Sequence, residues 1–291
     1  MLEESIEPKK RRDFITISII QLTLVLICFI LSNILGSIMN MLIYTSKKFP
    51  NNFAQLSLED RNKKAKEVEV EFNQTLREKP ELIEKEFYSS LFKESPSLLL
   101  ILKLIWFISY VLIGYICFRF ILKEPYNNLS DELNSNFLLK GVGSAFYIFL
   151  ALILVSIFLK LIHFQPKTSL FQQELFSNLK GNWYLLLWGI YTVGLITGIL
   201  EEVFFRGYLL NQYVENGYPR EGLLITSLIF GSLHYTKDSS LLVPFIITIV
   251  GFILGGLYLQ FKNIWVSISA HATYNTLILF GGYFFGDSIL K

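Results

Sequence analysis

The sequence predicts an all-α fold, a polytopic transmembrane helical bundle of about seven spans, or eight, with a polar helical insertion between spans 1 and 2. Three observations predict it. Of the 291 residues 52% are hydrophobic and only 17% charged. The mean hydropathy is +0.46, too apolar for a soluble domain. The apolar residues gather into runs near the roughly 20 residues that a helix needs to cross about 30 Å of hydrocarbon. With Cys 2 and Met 3 the chain has no material for a disulfide scaffold or a thiolate metal site. A net charge of +2 with scattered basic residues leaves no footprint for nucleic acid.

The first run, 14–44, is longer than a secretory signal core and lacks a small-residue cleavage site, so it reads as a retained helix. Lys9, Lys10, Arg11 and Arg12 stand directly before it. Charges so placed resist translocation and predict a cytoplasmic N-terminus in a multi-pass protein, with the bacterial inner membrane as the expected location. Residues 1–45 thus form a basic N-terminus with span 1. The stretch 46–96 carries ten Lys/Arg and ten Asp/Glu and reads as an aqueous insertion. Pro80 divides it into two short helices, because proline lacks a donor and clashes with the preceding turn. Residues 97–182 hold spans at 97–122 and 137–163 with a linker. Residues 183–285 form the helical core, with spans at 183–210, 221–236, 240–261 and 264–285. Trp183, Tyr184, Tyr213, Tyr218, Trp265 and Tyr283 fall near span ends and read as interfacial anchors. No internal repeat is visible.

Polar groups inside apolar spans carry the functional signal. Lys103, Arg119 and Lys160 lie within a turn or two of span ends, so their stems are expected to snorkel the charge to the headgroups. His163, beside Lys160 and Pro166, reads as interfacial. Cys28 and Cys117 read as small hydrophobes in apolar surroundings. Glu201 and Glu202 differ, because the flanking residues 189–200 and 203–210 are apolar apart from Thr192, Thr197 and Arg206. Two carboxylates at that depth need a partner, a proton or a water-filled cavity. Glu202 and Arg206, spaced i and i+4 in the acid-first order, are expected to pair and orient the helix. Glu201 points about 100° away and stays unanswered by that arginine.

Asn216-Gly217 and Tyr218-Pro219 read as the turn between two antiparallel helices. Glu201 lies about 16 residues before that turn and His234 about 17 after it, so both are expected roughly 25 Å from the turn and facing each other. If the turn projects into headgroups, the site lies roughly 15 Å below the hydrocarbon boundary. Phe230, one turn before His234, walls the cavity or holds the imidazole. His271 and Asn275, i and i+4, share one helical face. The glycine pairs 194/198, 251/255 and 282/286 have the spacing that lets helices approach closely.

This set suits hydrolysis. Glu201 would activate water as general base, His234 would steady that water, and His271 with Asn275 would donate hydrogen bonds to the oxyanion of a tetrahedral intermediate. The same groups also suit zinc, with His234, His271 and Glu201 or Glu202 as ligands around a metal-bound water.

The ordered pattern Glu201-Glu202-x-x-x-Arg206, Phe230-x-x-x-His234 and His271-x-x-x-Asn275 resembles the CAAX protease and bacteriocin-processing (Abi) family of intramembrane proteases, over roughly residues 183–285. The resemblance implies a helical membrane endopeptidase in which the first Glu activates water with the first His, while the second His and the Asn form the oxyanion hole, with no cofactor favoured. Its roles fall on Glu201, His234, His271 and Asn275 as catalytic residues, with Glu202, Arg206 and Phe230 in support. Older descriptions of the family as metal-dependent keep zinc open as a cofactor. Expected partners are a peptide or protein substrate, with or without an attached lipid, and membrane lipid. The resemblance carries over neither the substrate nor the oligomeric state. The C-terminal Ser288-Ile-Leu-Lys291 lacks a CAAX cysteine, so the chain is not itself such a substrate. Two other functions fit the residues less closely. One is a noncatalytic immunity or scaffold protein using the 46–96 insertion. The other is an ion-coupled transporter, which the concentration of polar residues in the C-terminal half disfavours.

Overall fold

The computed structural model describes residues 12–121 and 132–286. Among these residues every regular element is helical. The expectations for Lys9 to Arg11 and for Ser288 to Lys291 lie outside the described residues.

Helix α1 (Phe14–Lys48) starts on Asp13, whose carboxylate accepts from the Thr16 amide at 2.9 Å and so satisfies one orphan donor of the first turn. In the insertion, α2 (Leu58–Glu78) is capped by Ser57 with Glu59 and Asp60 in its first turn. The chain bends at Lys79, and Pro80 opens α3 (Pro80–Ser89), where its missing N–H costs nothing. The insertion is fastened to the end of α1 by the Lys48–Glu71 ion pair at 2.8 Å and the Tyr44–Phe72 ring contact. The next helices are α4 (Pro96–Phe120) and α5 (Ser135–Leu161). A short amphipathic α6 (Leu170–Leu179) follows behind a capping box of Ser169 and Gln172. The 34-residue α7 (Trp183–Asn216) ends at Gly217, whose φ of 94° only glycine adopts without strain. The bundle closes with α8 (Pro219–Ser232), α9 (Leu242–Phe261) and α10 (Ile264–Phe285).

The chain is an integral membrane protein. Among the described residues five helices are long and apolar enough to cross a membrane: α1, α4, α5, α7 and α9. The two remaining expected spans are helices as well. α8 has only 14 residues, and α10 has 22 but is diluted by Ser267, Ser269, His271, Thr273, Asn275 and Thr276. These are two of the three helices that carry the candidate site, so function and low hydropathy coincide. The expected 221–236 span is shortened because the chain leaves the helix after Ser232, where the His234 Nδ1–H donates to the Phe230 carbonyl at 2.7 Å and ties up one of the last orphan acceptors.

Contacts at the helix ends define two faces. On one, the Arg12 amide donates to Asn216 Oδ1 at 2.8 Å and Phe14 packs on Tyr213 and Tyr218, so the N-terminus lies beside the α7–α8 turn. On the other lie the insertion, α6 and the 233–241 loop. They are joined by Leu170 N to Asp238 Oδ2 at 2.9 Å, Ser240 N to Lys167 O at 2.8 Å and the Lys237–Glu84 pair at 3.8 Å. Tyr213 is not the interfacial anchor expected of it. It is fully buried, its hydroxyl is bonded to Ser18 at 2.9 Å, and Gly222 packs against its side chain. Trp183 and Tyr184 do stay exposed at the start of α7. Two of the three apolar clusters among the described residues bracket the site. One gathers Val203 to Leu210 (less Arg206 and Gly207), Ile264 and Ile268 with α1 and α4, and the other gathers α6, Leu185, Leu186 and Leu279. Glu201 on α7 and His271 and Asn275 on α10 fall between them in both helices.

Candidate active site

Glu201 and Glu202 occupy a short α-helical turn of α7 between two wide-turn π-helical stretches, Ile190–Ile196 and Val203–Leu210. Such local widening is frequent where a helix carries function, because it redirects side chains and frees carbonyls. Glu202 is fully buried and its Oε1 accepts twice, from Arg206 Nη1 at 2.9 Å and from His271 Nδ1 at 2.8 Å. The expected Glu202–Arg206 pair is therefore present and does more than orient α7. Arg206 Nη2 also donates to the Gly251 carbonyl at 2.6 Å, tying α9 into the network, and its guanidinium lies over the Phe230 ring at 5.1 Å.

The bond to Glu202 fixes a hydrogen on His271 Nδ1, which turns Nε2 toward Glu201 Oε2 at 3.8 Å. On the opposite side His234 Nε2 stands 4.0 Å from the same oxygen, while its Nδ1 is held by the Phe230 carbonyl. Glu201 and His234 thus meet as the antiparallel geometry predicts. Phe230 is buried and contacts both imidazoles, with ring centroids 4.9 Å from His234 and 6.0 Å from His271. Glu201 Oε2 is buried without a hydrogen-bond partner, flanked by two imidazole nitrogens just beyond bonding distance.

Asn275 sits one turn beyond His271, and its Nδ2 donates to the Val193 carbonyl at 3.0 Å inside the first wide-turn stretch. An amide carries two N–H hydrogens, so one remains for a ligand. Gly198 makes the approach of α7 and α10 possible, since a Cβ there would stand 3.0 Å from the Ala272 amide nitrogen. Glu201, His234, His271, Asn275 and Phe230 all line one cavity of about 390 Å³. Its outer wall is formed by Gln172 and Leu175 of α6 and by Thr236 and Ser239 of the 233–241 loop. The site therefore opens toward the insertion face, away from the α7–α8 turn. Among the described residues no group of three His, Cys, Asp or Glu side chains is arranged to hold a metal ion.

One group departs from its expected place. Lys103 lines this cavity rather than snorkelling clear of it, because the α4 stripe of Leu99, Trp106 and Tyr110 packs inward and carries Lys103 with it. Tyr274, Thr197 and the carbonyls of Val193 and Gly251 also contribute to the site without having been singled out in the sequence.

Residues 182–277 match the family model of the type II CAAX prenyl endopeptidase Rce1-like proteins. This part of the chain is similar to those endopeptidases. The matched region holds every residue of the Glu-Glu-x-x-x-Arg, Phe-x-x-x-His and His-x-x-x-Asn pattern. The chain is also 37% identical over 81 residues to a Bacillus subtilis (strain 168) protein named "Putative membrane peptidase YdiL". That alignment covers 28% of this chain and 32% of the relative, so it spans about a third of the relative's length. No solved structure matches the chain.

Proposed function

We propose that the protein is an intramembrane endopeptidase that hydrolyses a peptide bond with water activated by Glu201. The observation that carries this reading is the Glu201 carboxylate facing two imidazole nitrogens at 3.8 and 4.0 Å inside a cavity that reaches the protein surface. A water drawn from the cavity and held by the Glu201 carboxylate and His234 Nε2 gives one hydrogen to each acceptor, which aims its lone pair at a carbonyl carbon. As oxygen attacks, its proton passes to Glu201. The developing oxyanion accepts from the free Asn275 Nδ2–H, with the His271 ring, held by Glu202, beside it. Collapse breaks the C–N bond, and the proton held by Glu201 goes to the leaving amine. Glu202, Arg206 and Phe230 act by holding the two histidines. The reading needs no metal.

A substrate with an attached lipid suits a second feature. An apolar groove of about 820 Å³ runs along α5 past Phe149, Leu152 and Ile153, and shares Gln172, Phe176 and Ile278 with the catalytic cavity. A chain lying in it would bring its anchored peptide to Glu201. With the four basic residues before α1 on the cytoplasmic side, the cavity opens on the outer face of a bacterial inner membrane.

The test uses purified protein in liposomes with farnesylated CAAX peptides and unmodified membrane peptides, comparing wild type with Glu201→Gln. Cleavage should fall by roughly 10²–10⁴-fold in the variant and survive a zinc chelator. Equal cleavage by wild type and variant would refute the glutamate mechanism, and loss on chelation would assign the water to a metal.

A further inference from the structure

The catalytic cavity is lined by a lysine, Lys103, that the hydrolytic chemistry does not use. Arg206 is matched by Glu202, whereas Lys103 lines the cavity and makes no ion pair among the described residues. Glu201 lines the same cavity but lies beyond the 4.0 Å reach of a salt bridge to Lys103. The ammonium is therefore offset from the water-activating carboxylate along the same cavity. The surrounding lining is largely apolar, with Phe171, Leu175, Phe176 and Leu279 among its walls. An ammonium in such surroundings is costly unless an anion meets it, and a charge-assisted bond to a carboxylate is the strong way to do so.

We infer that Lys103 forms a carboxylate-binding subsite of the cavity, which selects peptides bearing a carboxylate near the bond presented to Glu201. This rests on the peptidase reading above. A cavity of about 390 Å³ lies near the lower end of the roughly 300–1,000 Å³ typical of small-ligand sites. It holds only a short stretch of peptide, so the recognised carboxylate belongs either to the chain terminus or to an Asp or Glu side chain close to the scissile bond. Lys103 is a substrate-positioning residue in this scheme and takes no proton in the reaction.

The test measures binding, so that it stands even where no peptide is cleaved. Glu201→Gln protein in phosphatidylcholine nanodiscs is titrated with acetyl-Leu-Leu-Leu as free acid, the same peptide as carboxamide, and acetyl-Leu-Glu-Leu as carboxamide. At least one carboxylate-bearing peptide should bind about tenfold or more tighter than the neutral amide. Preference for the first assigns the subsite to a chain terminus, and preference for the third to an acidic side chain. Adding Lys103→Met should erase the preference and Lys103→Arg should retain it, with thermal unfolding confirming that both variants are folded. Equal binding of all three peptides, no measurable binding of either acid, or a preference that survives Lys103→Met would overturn the proposal. So would a preference abolished by phosphatidylglycerol nanodiscs with Lys103 intact, which would give the ammonium to a lipid phosphate. The peptidase reading fails separately, if wild type and Glu201→Gln cleave equally.

Discussion

Replacing Glu202 with Gln should cost far more stability than the same change at Glu201, although the two are adjacent and both buried. Glu202 accepts from Arg206 and His271 at once, and removing its charge leaves the Arg206 guanidinium buried among apolar rings. Breaking such a pair typically costs about 3–5 kcal/mol. Glu201 Oε2 has no hydrogen-bond partner to lose, so Glu201→Gln should leave the thermal midpoint unchanged or slightly raised while abolishing cleavage. Parallel unfolding curves and peptide assays check this, and a strongly destabilised Glu201→Gln would contradict it. The difference was half legible in the sequence. The i, i+4 spacing showed which carboxylate Arg206 answers. The second bond from His271 was hidden, because a contact spanning 69 residues leaves no local pattern. Lys103 was misread for a related reason. Around α4 nearly every position is apolar, so no periodicity in the sequence marks the inward stripe, and only packing shows that Lys103 lies on it.

At the scale of elements, the crossing of α7 and α10 sets the catalytic distances. Gly198→Ala would put a Cβ 3.0 Å from the Ala272 amide nitrogen and 3.2 Å from its Cα, both backbone atoms that move only with α10. A displacement of α10 carries His271 and Asn275 away from Glu201, and misplacement near 1 Å costs on the order of 10²-fold in rate. Gly198→Ala should therefore lower kcat/KM by roughly that factor. Gly143→Ala on α5, where nothing lies within 4 Å, should be neutral or gain about 0.5–1 kcal/mol of helix stability. Steady-state kinetics of the two variants side by side decide it, and equal activity would show that the crossing has slack. The 194/198 glycine spacing announced a close approach without naming its partner. The element boundaries were legible where local chemistry set them, at Pro80 and Gly217. They were less so at Ser232, where the helix is ended by a bond from the functional His234 itself.

Across the whole molecule, the catalytic cavity mouth, α6 and the insertion share one face, while the N-terminus and the α7–α8 turn share the other. That pairing does not depend on which way the protein sits in the membrane, because it follows from the alternation of α1, α4, α5, α7, α8, α9 and α10. Single cysteines at Lys63 in the insertion and Lys237 at the mouth, in a background with Cys28 and Cys117 replaced by Ala, should react together with an impermeant thiol reagent. A cysteine at Glu221 should react only from the opposite side. If the basic run Lys9 to Arg12 before α1 keeps the N-terminus cytoplasmic, as the sequence predicts, intact cells should label positions 63 and 237 and spare 221. The reverse pattern would mean that the ten basic residues of the insertion outweigh those four and that the site works on cytoplasmic peptides. Labelling of 63 and 237 from different sides would contradict the helix alternation itself, and with it the meeting of α7, α8 and α10 at Glu201.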